Sequence, residues 1–173
     1  MFTSYAVMAL RHHQWIEDMG WHKASPLESL GLIASEISEA MAELQMLSNN
    51  TWTPTGAFSE ELADIALRTF DLLQSHDVHT PYDQIMAQAV RDSAPAQRET
   101  FPLQPLMDVV VALGPWINAA RTRQNVPPEF FQHGQHFLYQ VQRAAIVYNI
   151  DLFKVMSEKI EKNRKRGSRN RAV

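Results

Sequence analysis

The chain of 173 residues contains no cysteine. Disulfides and thiolate-bound metal centres are therefore excluded, and the absence fits a cytoplasmic protein. There is no apolar run near the roughly 18 residues that a membrane-spanning helix needs, so no membrane partner is expected. Alternating apolar and polar stretches are missing, as are Asn-Gly and Asp-Gly pairs, so the usual signals of strands and hairpins are absent. No Glu-x-x-His unit occurs, which removes the ligand pair of di-iron bundles and leaves His133 and His136 as surface or core polar groups. The opening stretch MFTSYAVMALRHHQW has no basic segment before its apolar residues and no cleavage-like site after them, and it reads as a first helix rather than a signal peptide. With 45% hydrophobic and 20% charged residues, the composition is that of an ordinary globular chain, long enough for one domain with a sizeable core.

Charge is unevenly spread. The net charge is only −3, yet residues 151–173 hold 8 of the 16 basic residues and only Asp151, Glu158 and Glu161 as acids. An acidic body thus carries a basic last helix and tail. The body's acidity and the lack of a nucleic-acid motif argue against a nucleic-acid partner. A solvated tail accounts for residues 168–173; the helix before them is placed to meet an anion.

What is present is helical periodicity. A first helix spans about Tyr5 to Met19 and stops at Gly20. Ser25, Pro26 and Glu28 form a capping box for a second helix, whose Leu27, Leu30, Ile33, Ile37, Met41 and Leu44 recur at three and four, and which ends near Ser48-Asn49-Asn50. TWTPTGAF reads as a loop, and a third helix follows from about Ser59 to Ser75. Thr80-Pro81-Tyr82-Asp83 opens a fourth with a similar cap. SAPAQRETFPLQP is a linker. A fifth helix, kinked at Gly114-Pro115, runs to about Gln124, VPPEF starts a sixth, and a seventh covers about Asp151 to Arg166. The expected fold is an all-α bundle of about seven helices in one domain, residues 1–167.

A weak internal repeat divides this domain into pseudo-repeats 1–95 and 96–167. Blocks from Pro26, Ala63 and Tyr82 line up with blocks from Pro102, Gln135 and Leu152. In this alignment Glu36 and Glu39 fall opposite Ala112 and Pro115, while Lys159 and Asn163 fall opposite Ala89 and Ser93. Each half lacks what the other keeps, so one composite site per chain is expected.

The acids of the second and third helices carry the chemistry. Glu36 and Glu39 are three apart, as are Glu61 and Asp64, so each pair shares one helix face. Leu62, Ile65 and Ala66 interleave with the second pair, which therefore borders a buried face. If the two helices pack antiparallel, four carboxylates face each other. Such a cluster stays ionised only around cations, and all-oxygen ligation suits Mg²⁺ first and Mn²⁺ second. The alternative is a set of solvated helix acids. On the last helix, Lys159, Asn163 and Arg166 lie at i, i+4 and i+7, one face that could meet an anion; complementing their own helix end is the competing reading. Trp15, Trp21, His13, His22 and Lys23 precede the acids and Trp52 lies between them.

HQWIEDMGWHKASPLESLGLIASEISEAMAEL followed by FSEELADIALRTFDLL resembles the MazG-like all-α nucleoside triphosphate pyrophosphohydrolases, which include relatives of the dimeric dUTPases and dCTP pyrophosphatases. DLFKVMSEKIEKNRKRG is similar to the closing helix of that family. The resemblance covers roughly residues 10–78 and 150–167. It implies Mg²⁺-dependent hydrolysis of a nucleoside triphosphate, with a deoxynucleotide expected, to the monophosphate and diphosphate. It also implies Glu36, Glu39, Glu61 and Asp64 as metal ligands, with Glu39 the expected general base beside Glu36. Lys159, Asn163 and Arg166 would hold phosphate, Trp21, His22 and Lys23 would contact substrate, and a homo-oligomer is consistent with the family. Two features depart from the pattern. Ser35 stands where the family's first motif usually has an acid, and the stretch before the closing helix is longer than in simple members. The alternative function is a non-catalytic helical interaction module with a degenerate metal site.

Overall fold

The computed structural model describes residues 2–21, 24–46, 52–76, 79–93, 103–121 and 126–166. Seven helices account for about four fifths of them: α1 (Tyr5–Asp18), α2 (Pro26–Ala42), α3 (Phe58–Gln74), α4 (Tyr82–Ser93), α5 (Gln104–Arg121), α6 (Pro128–Val147) and α7 (Leu152–Arg166). The expected all-α bundle is the observed fold. None of the described helices is long and apolar enough to cross a membrane.

Caps set several of the boundaries. Ser25 accepts the Glu28 backbone N–H and Glu28 accepts the Ser25 N–H at 2.7 Å, which closes the capping box at the start of α2. Asp83 behaves differently from the expectation that its segment caps α4. Its carboxylate accepts the backbone N–H groups of Tyr5, at 2.8 Å, and Ala6. It thus caps α1 instead, because the unpaired N–H groups and positive dipole end of α1 attract an anion brought up from 78 residues away.

Two sequence readings are corrected. The second helix ends at Ala42, several residues before the expected Asn49 region, and the segment read as a loop contains a short antiparallel pair, β1 (Leu44–Met46) with β2 (Trp52–Pro54). Three-residue strands are too short to show alternation, so their signal was invisible to pattern reading. The α5 helix runs on to Arg121 through Pro115. Pro115 and the preceding turn's Val111, whose carbonyl the proline leaves without its partner N–H, both lie on the exposed side, where water can hydrogen-bond that group.

The core sits around α3, which packs against α1, α2, α6 and α7. Phe58, Leu62, Ile65, Ala66, Phe70 and Leu73 of α3 are fully buried. Burying a side chain such as Phe70 contributes about 1.5–3 kcal/mol. The connection through β1 and β2 folds α2 back antiparallel along α3, so Glu36 meets Arg68 and Glu43 meets Thr55. In the second half α5 pairs with α6 as α2 pairs with α3. The fourth helices are exchanged: α7 lies on α3, and α4 lies on α6. The α2–α5 and α3–α6 contacts join the halves, while α1 packs on α3 without a matching helix on α6.

Where α3, α5 and α6 meet, Gly134 of α6 lets the backbone approach Trp116. A Cβ there would lie 2.6 Å from Leu73 Cδ2 and 2.7 Å from Trp116 Cζ2. Trp116 is fully buried against Phe130 and Phe137 and has no room to retreat. Gly134→Ala is therefore expected to cost about 1–3 kcal/mol through overpacking, despite alanine's better helix propensity. Urea unfolding should show a lower midpoint at an unchanged slope; a midpoint at or above that of the wild type would contradict this packing.

Candidate metal and phosphate site

The antiparallel packing of α2 on α3 brings Glu36, Glu39 and Glu61 together. Each offers a carboxylate oxygen, and the three oxygens lie within 4.8 Å of one another. Glu36 is buried, Glu61 is half-buried and Glu39 faces solvent. The group opens to water through Glu39 and rests on the core through Glu36.

The fourth acid of the expected set is placed differently. Asp64 accepts a hydrogen bond from Lys159 Nζ at 2.6 Å, across the α3–α7 contact. The expected four-carboxylate pocket is thus a triad with an adjoining Asp64–Lys159 pair. Glu36 has a cationic neighbour of its own, Arg68, whose Nε donates to Oε1 at 2.6 Å. A carboxylate has two oxygens, so Glu36 can hold Arg68 and still face the triad. Ser35, in the position of the missing acid, reaches Glu39 with its hydroxyl at 3.4 Å.

The electrostatics follow from burial and from the crowding of like charges. Burial raises the Glu61 carboxyl above the ordinary carboxylate range; Lys159 opposes the shift, and Asp64, Glu39 and Glu36 add to it. Burial also raises Asp64, more than the Lys159 hydrogen bond and charge lower it. For Lys159, burial acts to lower the ammonium's pKa, but the bonds and charges of Asp64 and Glu60 together outweigh it and hold the pKa above the usual lysine value. Acids that are hard to ionise beside one another, with only oxygen donors, fit a hard divalent cation held by Glu36, Glu39 and Glu61, with Asp64 alongside.

On the other side of Arg68, between α1, α3 and α7, is a cavity of about 90 Å³ lined by His12, Trp15, Trp21, Asp64, Arg68 and Asn163, among others. A second of about 80 Å³ adjoins it and shares Ile16, Trp21, Arg68 and Asp71. Trp15 and Trp21 meet edge to face at 5.0 Å. The buried Nδ1 of His12 has no hydrogen-bond partner among the described residues. Its pKa is lowered to about 4, mainly by burial, so the ring is neutral at pH 7.

Of the expected site residues, the structure brings Glu36, Glu39, Glu61, Asp64 and Lys159 into one region, with Asn163 and Trp21 at the adjoining cavity. Arg166 is exposed at the end of α7. His22, Lys23 and the Trp52 side chain lie outside the described residues. His13 binds Asp71 at 2.8 Å. Sequence reading missed His12, Arg68 and Asp71. A signal for two of them existed: Glu61, Asp64, Arg68 and Asp71 recur at i, i+3, i+7 and i+10, one continuous face of α3. His12 had none, because an apolar helix face with one histidine looks like core.

The chain matches no protein-family model, no curated protein and no solved structure.

Two outcomes are expected. A cation that binds the folded triad and not the unfolded chain stabilises the fold, so Mn²⁺ at 100 times its dissociation constant should add about 2.7 kcal/mol. Thermal melting with and without Mn²⁺ tests this, and in Glu36→Gln/Glu61→Gln the gain should vanish; an equal gain in the variant places the ion elsewhere. The second concerns His12. The unfolded chain takes up this proton below about 6.5, the folded chain only near 4, so the associated stability is fully present above 6.5 and lost as pH falls. Between pH 7 and 4 the loss is about 3 kcal/mol. Urea unfolding of wild type and His12→Gln at both pH values should differ by about that amount; identical pH dependence would show that His12 is not held neutral.

Proposed function

We propose that the protein is a divalent-cation-dependent nucleoside triphosphate pyrophosphohydrolase of the MazG-like type, converting a (d)NTP and water to the (d)NMP and diphosphate. The observation that carries this reading is the convergence of the Glu36, Glu39 and Glu61 carboxylates, with Lys159 bound to Asp64 and acting on Glu61. An anion-binding amine set against a cation-binding triad is the polarity that a metal-bound triphosphate requires.

Mg²⁺, or Mn²⁺ in its place, would be held by Glu36, Glu39 and Glu61, with Asp64 nearby. When bound, such an ion neutralises phosphate charge and makes a water more acidic. The chain's own groups supply the rest. Arg68 fixes the Glu36 carboxylate by its 2.6 Å bond, so the triad is oriented before substrate arrives. Glu39, exposed and touched by the Ser35 hydroxyl, is the acid best placed to accept the proton of the attacking water. Lys159 donates to the charge that develops on the phosphoryl oxygens.

The base would occupy the cavity between α1, α3 and α7, with the Trp15 and Trp21 rings for stacking and the His12 and Asn163 side chains for its polar edge. A neutral imidazole offers one donor and one acceptor according to tautomer, as a base edge demands. A deoxynucleotide is the expected substrate. The rival reading, a non-catalytic helical interaction module, has no use for a carboxylate triad beside a half-buried lysine.

Incubation with each canonical NTP and dNTP plus Mg²⁺ should yield the monophosphate and diphosphate, and EDTA should stop it. Glu61→Gln should lower kcat by at least about 100-fold, since a charged ligand is lost. Orthophosphate as the first product, or equal rates with chelator, would rule the reading out.

A further inference from the structure

Lys159 is not the only cation at the α3–α7 contact. Lys162, one turn further along α7, donates to Glu60 Oε2 at 2.6 Å, and Lys159 lies 3.4 Å from the same oxygen. Glu60 is tied to the site through Lys159, whose ammonium also binds Asp64 at 2.6 Å. Lys159 is nearly enclosed, whereas Glu60 and Lys162 are each 42% exposed. The Lys162 hydrogen bond, chiefly, lowers Glu60 below the ordinary carboxylate range. Two lysines of α7 thus share one carboxylate oxygen on the open side of the site. A charged oxygen accepting two ammonium groups has the same contacts that a phosphate oxygen would make there.

We propose that Glu60 is a built-in counterion that occupies the phosphate position in the empty protein. The substrate's polyphosphate displaces it, and Lys162 joins Lys159 in holding the displaced position. This rests on the phosphohydrolase reading for the identity of the anion, but its contacts are its own. It assigns Lys162, rather than the exposed Arg166, as the second phosphate ligand of α7. The two lysines lie at i and i+3, and both point at α3. While Glu60 holds them, their charge is compensated and the long side chains are kept extended toward α3, which lowers the ordering cost when phosphate arrives. Because the carboxylate must leave, affinity for the anion is set by the difference between two contacts of the same lysines. Removing the Glu60 charge therefore strengthens anion binding, and does so through Lys162.

The test is calorimetric binding of inorganic tripolyphosphate, with Mg²⁺, to the full chain. Lys162→Met should weaken binding about tenfold, the worth of one hydrogen bond between charged partners. Glu60→Gln should tighten it about fivefold, the upper range for a partly exposed ion pair. In the Glu60→Gln/Lys162→Met double variant the gain should shrink to under about twofold, since only the longer 3.4 Å Lys159–Glu60 contact would still compete. Glu161→Gln, which removes an exposed acid paired with Arg164 on the same helix, should leave affinity unchanged. Melting curves confirm that each variant is folded. A gain from Glu60→Gln that persists in full without Lys162, or no gain at all, overturns the proposal. Loss of nucleotide hydrolysis with this binding pattern intact would remove the reaction assigned above and leave the counterion standing. Hydrolysis with an unresponsive Glu60 would do the reverse.

Discussion

Three carboxylates with oxygens inside 4.8 Å of each other, one of them buried, repel in any folded protein. The packing of α2 on α3 forces that proximity, and the rest of the region is arranged around it. Arg68 answers Glu36, Lys159 answers Asp64, and Lys162 answers Glu60. Each cation comes from the same helix pair or from α7. The three carboxylates could hold a metal ion between them.

The second dependency is α7. It is the last described helix, yet it packs on α3 from the first half of the chain, while α4 of the first half packs on α6 of the second. Lys159, Lys162 and Asn163 therefore reach a site whose acids lie about a hundred residues earlier. Among α2 to α7, the same helix pairs are in contact when α2, α3 and α4 are exchanged with α5, α6 and α7. The acids of the proposed site lie on α2 and α3 and its amines on α7, and only their packing makes it whole. At the symmetry-related α4–α6 groove, Ala89 and Ser93 stand where α7 has Lys159 and Asn163, and Tyr139 holds Asp92 in a hydrogen bond at 2.8 Å.

Much of the fold was legible because its elements are long and periodic. The capping box at Ser25, the proline start of α6 and the three-and-four spacing of α2 each act within a few residues, and local chemistry decides them. What escaped were features that distant partners decide. Asp83 looks like a local cap and serves α1 instead. Asp64 looks like the equal of Glu61, and only the docking of α7 shows that it is held by Lys159. His12 carries no sequence signal, since its orphaned Nδ1 and lowered pKa follow from a cavity formed by three helices. Short-range rules could identify which residues are acidic and on which face; they could not say which acids remain unpaired once the bundle closes.

The central claim is that the centre of this triad is the cation site and that phosphate lies between it and α7. A crystal structure with Mn²⁺ and a non-hydrolysable deoxynucleoside triphosphate analogue tests it most directly. The anomalous signal of manganese is expected among the carboxylates of Glu36, Glu39 and Glu61, with the analogue's phosphates against Lys159. Manganese bound elsewhere, with Glu36, Glu39 and Glu61 left uncoordinated in the presence of the analogue, would contradict the account.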